Sequence, residues 1–149
     1  MVRLALPLFV LISLGGGGLI GLAVETGGWY ASLEKPIFNP PDWVFGPVWT
    51  TLYVLIGFSG WRVWRAGDKR LQSLWWTQLF LNFVWPPVFF SAQQLLVALG
   101  IILALDAFIV LFIVQAWRDE RVAGLLFLPY ALWTGYATLL NATLWWMNS

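Results

Sequence analysis

Trp133, Ala137 and Asn141 recur at i, i+4 and i+8 in the last apolar stretch of this chain, a spacing that stacks side chains on one helix face. A flat ring, a small residue and an amide so placed make a slot rather than a packed seam. Asn82 and Trp85 offer a second amide and ring on another stretch, and Trp49 a third ring. This is the chemistry of non-covalent recognition. Cysteine and histidine are both absent, which excludes a disulfide, a thiolate nucleophile, a Ser-His dyad and a His-ligated metal or haem. Glu25, Glu34 and Asp42 read as loop charges and Asp106 stands alone, so no acid–base pair presents itself. No catalytic residue, metal ligand or required cofactor is assigned.

The elements that must position these groups are membrane helices. The chain has 149 residues, 60% hydrophobic and 10% charged, against roughly 25% charged in a soluble domain. Its mean hydropathy of +0.78 rules out a soluble globular reading. A net charge of +1, with no basic stripe, gives no case for nucleic acid. Five segments are apolar over about the 20 residues that a bilayer core requires: Leu4–Val24, Val44–Trp64, Leu71–Phe90, Leu95–Trp117 and Val122–Met147. The expectation is an all-α membrane protein, residues 1–149 forming one five-helix domain embedded in the lipid bilayer. The first span reads alternatively as a signal peptide; its length and Gly17-x-x-x-Gly21, a spacing that lets helices approach closely, favour a span. Arg3, Arg62, Arg65, Lys69, Arg70, Arg118 and Arg121 fall on one side and Lys35 alone on the other. That asymmetry predicts an inside amino terminus and a bacterial inner membrane.

Tryptophan at a membrane surface is ordinarily an anchor, and this suits Trp61, Trp64, Trp75, Trp76 and Trp117 at one interface and Trp145 and Trp146 at the other. Trp49, Trp85 and Trp133 lie deeper. So do Asn82, Asn141 and Asp106, which are costly facing lipid and should turn inward; for Asp106 a helix-gluing hydrogen bond is an equal reading. Pro86, Pro87 and Pro129 predict kinks that open a cavity at one end of the bundle, an aromatic site with a few polar groups. The connector before the second span is the one long loop. Pro36, Pro40 and Pro41 stiffen it, and Trp29, Tyr30, Phe38 and Trp43 can pack it onto the bundle mouth as a lid. An interfacial belt is the plainer alternative.

Trp29-Tyr30-x-x-Leu33-x-Lys35-Pro36-x-x-x-Pro40-Pro41 followed by Trp49, Asn82-x-x-Trp85-x-Pro87-x-Phe89-Phe90, and Leu128-Pro129-Tyr130-x-x-Trp133-x-x-x-Ala137-Thr138-x-Leu140-Asn141 together resemble the translocator protein family. Its bacterial members are called tryptophan-rich sensory proteins and its animal members peripheral-type benzodiazepine receptors. The resemblance implies a five-helix bundle, usually a homodimer, that binds tetrapyrroles such as protoporphyrin IX, and in animal members sterol, isoquinoline and benzodiazepine ligands. It places Trp49, Asn82, Trp85, Trp133, Ala137 and Asn141 on the ligand pocket under the first loop, with Lys35 available to a propionate. It also admits an outer membrane, a transport role, or enzyme-like porphyrin photo-degradation. The animal sterol motif ends in a basic segment, whereas this chain ends Leu144-Trp145-Trp146-Met147-Asn148-Ser149 without a cation, which weighs against sterol binding in that manner.

Overall fold

The computed structural model describes residues 2–23 and 28–149. Val24, the expected end of the first span, and the loop charge Glu25 lie outside the described residues. Among those described, every regular element is helical. The chain opens with α1 (Val2–Val10), a π turn (Leu11–Gly15) and α2 (Gly16–Ala23). A short α3 (Gly28–Ser32) precedes α4 (Asp42–Ala66), and α5 (Lys69–Pro86) runs into a second π turn (Pro87–Ser91). The remainder is α6 (Leu95–Asp119), α7 (Arg121–Leu126) and α8 (Leu128–Met147).

Local chemistry sets these boundaries. Gly67 closes α4 at φ 75°, a left-handed position that glycine occupies without strain. Asp68 then caps α5 by accepting the Leu71 amide at 3.0 Å. Pro86 and Pro87 supply no N–H, and there the helix passes into its π turn. The kink expected at Pro129 is a break two residues earlier, at Phe127, leaving proline in the first turn of α8, where its missing donor costs nothing.

Four stretches are long and apolar enough to cross a bilayer: Leu4–Ala23, Asp42–Ala66, Leu95–Asp119 and Arg121–Met147. The five-span expectation is therefore only partly met by apolar length. The helix over Lys69–Pro86 is missing from this set because Gln72, Ser73, Thr77, Gln78 and Asn82 dilute its hydrophobic residues.

In a bilayer the hydrophobic effect gives little drive for helices to associate, so close packing and hydrogen bonds must hold them. Both are visible. A Cβ on Gly57 would sit 2.6 Å from the Val10 Cα, so α1 rests directly on the backbone of α4. Ser13 clamps the same crossing by donating to the Tyr53 carbonyl at 2.5 Å. Near the charged turns at residues 66–70 and 118–121, Gly60 makes room for the Trp75 ring, whose indole N–H donates to the Ile56 carbonyl at 2.9 Å. Trp75 is 1% exposed: it is a core residue and not the interfacial anchor its position suggested. Trp64, Trp76, Trp117 and Trp146 are exposed, as an anchor should be. Phe112 stacks on Phe127 at 4.2 Å, locking α6 to the break between α7 and α8. Arg62 pairs with Glu120 at 2.7 Å, joining α4 to the turn before α7.

Candidate ligand cavity

At the end of the bundle nearest α3 the helices part, and a cavity of about 450 Å³ lies between α2, α4 and the end of α5. That volume is within the usual range of small-molecule sites. Its wall is of two kinds. Phe45, Trp49 and Tyr53 from α4, Trp85 and Phe90 from α5 and its π turn, and Tyr30 from α3 supply aromatic rings. Gly17, Gly18 and Gly21 of α2 and Gly46 of α4 bring bare backbone to the wall, beside Leu14 and Pro86. At Gly17 the glycine is obligatory, since a Cβ would meet the Tyr53 ring at 2.3 Å, whereas Gly18, Gly21 and Gly46 face open space. The Gly17-x-x-x-Gly21 spacing thus serves a close approach to Tyr53 at one end and the cavity at the other.

Behind the rings runs a buried polar chain. The Tyr53 hydroxyl donates to Asn82 Oδ1 at 2.7 Å, Asn82 Nδ2 donates to the Tyr130 hydroxyl at 2.7 Å, and Tyr130 donates to Gln78 Oε1 at 2.8 Å. Asn82 is 2% exposed and Tyr130 and Gln78 are 0% exposed, so each group needs these partners. Trp85 donates its indole N–H to Asn141 Oδ1 at 3.0 Å, and Asn141 Nδ2 donates to the Leu95 carbonyl at 2.8 Å.

Of the residues singled out in the sequence, Trp49 and Trp85 lie on this cavity. Asn82 and Asn141 stand one layer behind it, orienting Tyr53 and Trp85. Ala137 is buried in α8, at 6% exposure. Trp133 touches the Trp49 ring edge-on at 6.4 Å and Phe45 at 5.8 Å, and lines a separate apolar groove of about 550 Å³ between α4 and α8 with Pro47, Leu132 and Tyr136. Its indole N–H is buried with no partner among the described residues. Asp106 bridges α6 to α8, its Oδ2 accepting from Thr138 at 2.5 Å, while Oδ1 is buried without a partner among the described residues.

α3 and the segment after it pack against this end of the bundle. Tyr30 sits against Phe90 at 5.5 Å and Phe89 at 6.2 Å, and Trp29 meets Phe89 at 6.0 Å. The Tyr136 hydroxyl donates to the Phe38 carbonyl. Asn148, at the far end of α8, grips Glu34 from both sides, accepting its amide and donating to its carbonyl, each at 3.0 Å. Burial pushes the Tyr30 phenol above its ordinary value of 10, outweighing the hydrogen bond it gives to Asn39. Lys35 does not line the cavity: its ammonium donates to the Ala31 and Leu33 carbonyls, both at 3.2 Å, and lies 5.0 Å from the Tyr30 ring centre. Pro36 and Pro40 are half-buried and Pro41 stands immediately before α4.

Sequence reasoning passed over Tyr53, Phe45, Thr50 and Asp42 of the wall, and Gln78 and Tyr130 behind it. Tyr53 lies four residues after Trp49, and Gln78 four before Asn82, so helical spacing from each chosen residue pointed to them.

Residues 8–147 match the TspO/MBR family. The "Tryptophan-rich protein TspO" of Archaeoglobus fulgidus is 38% identical over 152 residues, covering 100% of this chain and 99% of that protein. The "Translocator protein" of Homo sapiens is 37% identical over 123 residues, covering 78% and 73% respectively. The "Tryptophan-rich sensory protein" of Cereibacter sphaeroides is 34% identical over 138 residues, covering 92% and 87%.

Proposed function

The chain belongs to the TspO/MBR family, and from that premise we propose that it is a membrane receptor or carrier for flat hydrophobic ligands of the porphyrin class. The observation that carries this reading is the cavity of about 450 Å³ walled by six aromatic rings and by stretches of bare glycine backbone. Rings set beside glycine backbone leave room against the ring faces. Planar molecules fill such a space by stacking, with offset or edge contacts to Trp49, Trp85 and Tyr53. The reading gives the protein five spans, the polar helix over Lys69–Pro86 crossing the bilayer with its amides satisfied inside the bundle. It gives the segment from Trp29 to Pro41 the part of a lid. It takes the amino terminus to face the inside of a bacterial inner membrane, supported by the seven cations at the charged-turn end against Lys35 alone at the lid end. Stacking and enclosure account for binding, and no residue is assigned a catalytic step.

Protoporphyrin IX titrated into the purified protein in uncharged detergent, followed by tryptophan quenching, should give a saturable 1:1 curve. Trp49→Leu should weaken it by about tenfold, the worth of one stacked ring, while the exposed Trp76→Leu at the opposite end should leave it unchanged. Saturable binding that ignores Trp49, or none at all, removes the reading.

A further inference from the structure

Hydrogen-bond donors are what an anionic ligand would require, and on this cavity they are turned away. The Tyr53 hydroxyl donates to Asn82, the Trp85 indole to Asn141, the Tyr30 hydroxyl to Asn39, and the nearest cation, Lys35, to two backbone carbonyls. Among the described residues only the Trp49 indole and the Thr50 hydroxyl remain as side-chain donors on the wall. The single charged side chain on the wall is an acid, Asp42, in the first turn of α4.

Asp42 suits the positive end of the α4 dipole, but this does not occupy its oxygens. The amino terminus of α4 has no side-chain cap, and the one ion pair among the described residues is Arg62–Glu120. The carboxylate is exposed at the cavity edge, beside aromatic faces that also favour cations.

We infer that the cavity selects flat aromatic ligands by charge, favouring those whose edge carries an ammonium or other cation, then neutral ones, over those carrying carboxylates, and that Asp42 sets this preference. The inference rests on the cavity being the ligand site proposed above, and deepens that reading by naming the ligand's polar edge. One ligand charge within a ring's width of a screened carboxylate changes affinity by about tenfold.

Three ligands with one ring system test it: protoporphyrin IX with two carboxylates, its neutral dimethyl ester, and the derivative whose propionates are amidated with ethylenediamine, bearing two ammonium groups. Each is titrated into protein in nanodiscs of zwitterionic lipid. Wild-type protein should bind the ammonium form at least tenfold more tightly than the dicarboxylate, with the ester between. Asp42→Asn, close in shape and at an exposed position, should bring the three within about twofold, and Asp42→Lys should invert the order. A dicarboxylate bound most tightly, or an order that Asp42→Asn leaves intact, overturns the charge preference while the cavity reading stands. Absence of saturable binding by all three overturns both.

Discussion

The two ends of the bundle use the same kinds of residue to opposite effect. Near the charged turns, Trp75 is pressed onto Gly60 and tied to the Ile56 carbonyl, and Ile56, Val63, Phe112, Ala116 and Phe127 are each 0% exposed. Near α3, Trp49 and Trp85 border a cavity, and Gly18, Gly21 and Gly46 on its wall face open space. A glycine facing a tryptophan is a socket at one end and a slot at the other. Proline separates them in part. Pro86 and Pro87 lie in the half nearer α3, where missing donors and a π turn keep α5 from packing along its full length, while Pro7 sits inside α1 at the other end. The difference teaches that tryptophan content says little about a site until the backbone beside each ring is known.

The sharpest way to break this contrast is to truncate one ring at each end. Trp75→Ala should cost about 3–5 kcal/mol, as for other buried large-to-small changes, read as the unfolding midpoint in detergent. Trp49→Ala should cost about 1 kcal/mol or less, because its cavity face packs against nothing. Equal losses would mean that the two ends are packed alike. Asn82→Leu comes next: it strips partners from the Tyr53 and Tyr130 hydroxyls and should cost about 1–2 kcal/mol. It should change porphyrin affinity only as far as Tyr53 shifts, so an affinity loss as large as that of Trp49→Leu would put Asn82 on the wall instead of behind it.

The smallest effect is at Tyr30. Its folded phenol titrates above the ordinary value of 10, so the docking it supports is complete below that value and is lost as pH rises through the folded one. The tyrosinate absorbance of wild-type protein minus that of Tyr30→Phe should therefore rise above the ordinary pH for tyrosine. A component at the ordinary value would show the ring in water and the segment unseated.

Much of this was legible in the sequence. Helicity, family and the polar-proline break of the third apolar segment followed from composition, period and motif. The site was less so, for a geometric reason. Residues four apart on an α-helix are offset by about 40°, and eight apart by about 80°. The stripe Trp133–Ala137–Asn141 therefore winds: Trp133 reaches α4 and the outer groove, while Asn141 turns to Trp85 and the Leu95 carbonyl. Reading them as one face merged two environments. Trp75 and Asp42 were misjudged because depth along a helix is visible in sequence and direction around it is not; only the glycine at position 60 hinted that a ring would be received there.

The grip of Asn148 on Glu34 joins residues 114 positions apart. Until that late residue exists, nothing can hold the segment around Glu34 from that side. At ribosomal speeds of about 5–20 residues per second, this end of the bundle stays without its strap for roughly 6–23 s after Glu34 is made. The contact between Asn148 and Glu34 is therefore among the last of the fold to form.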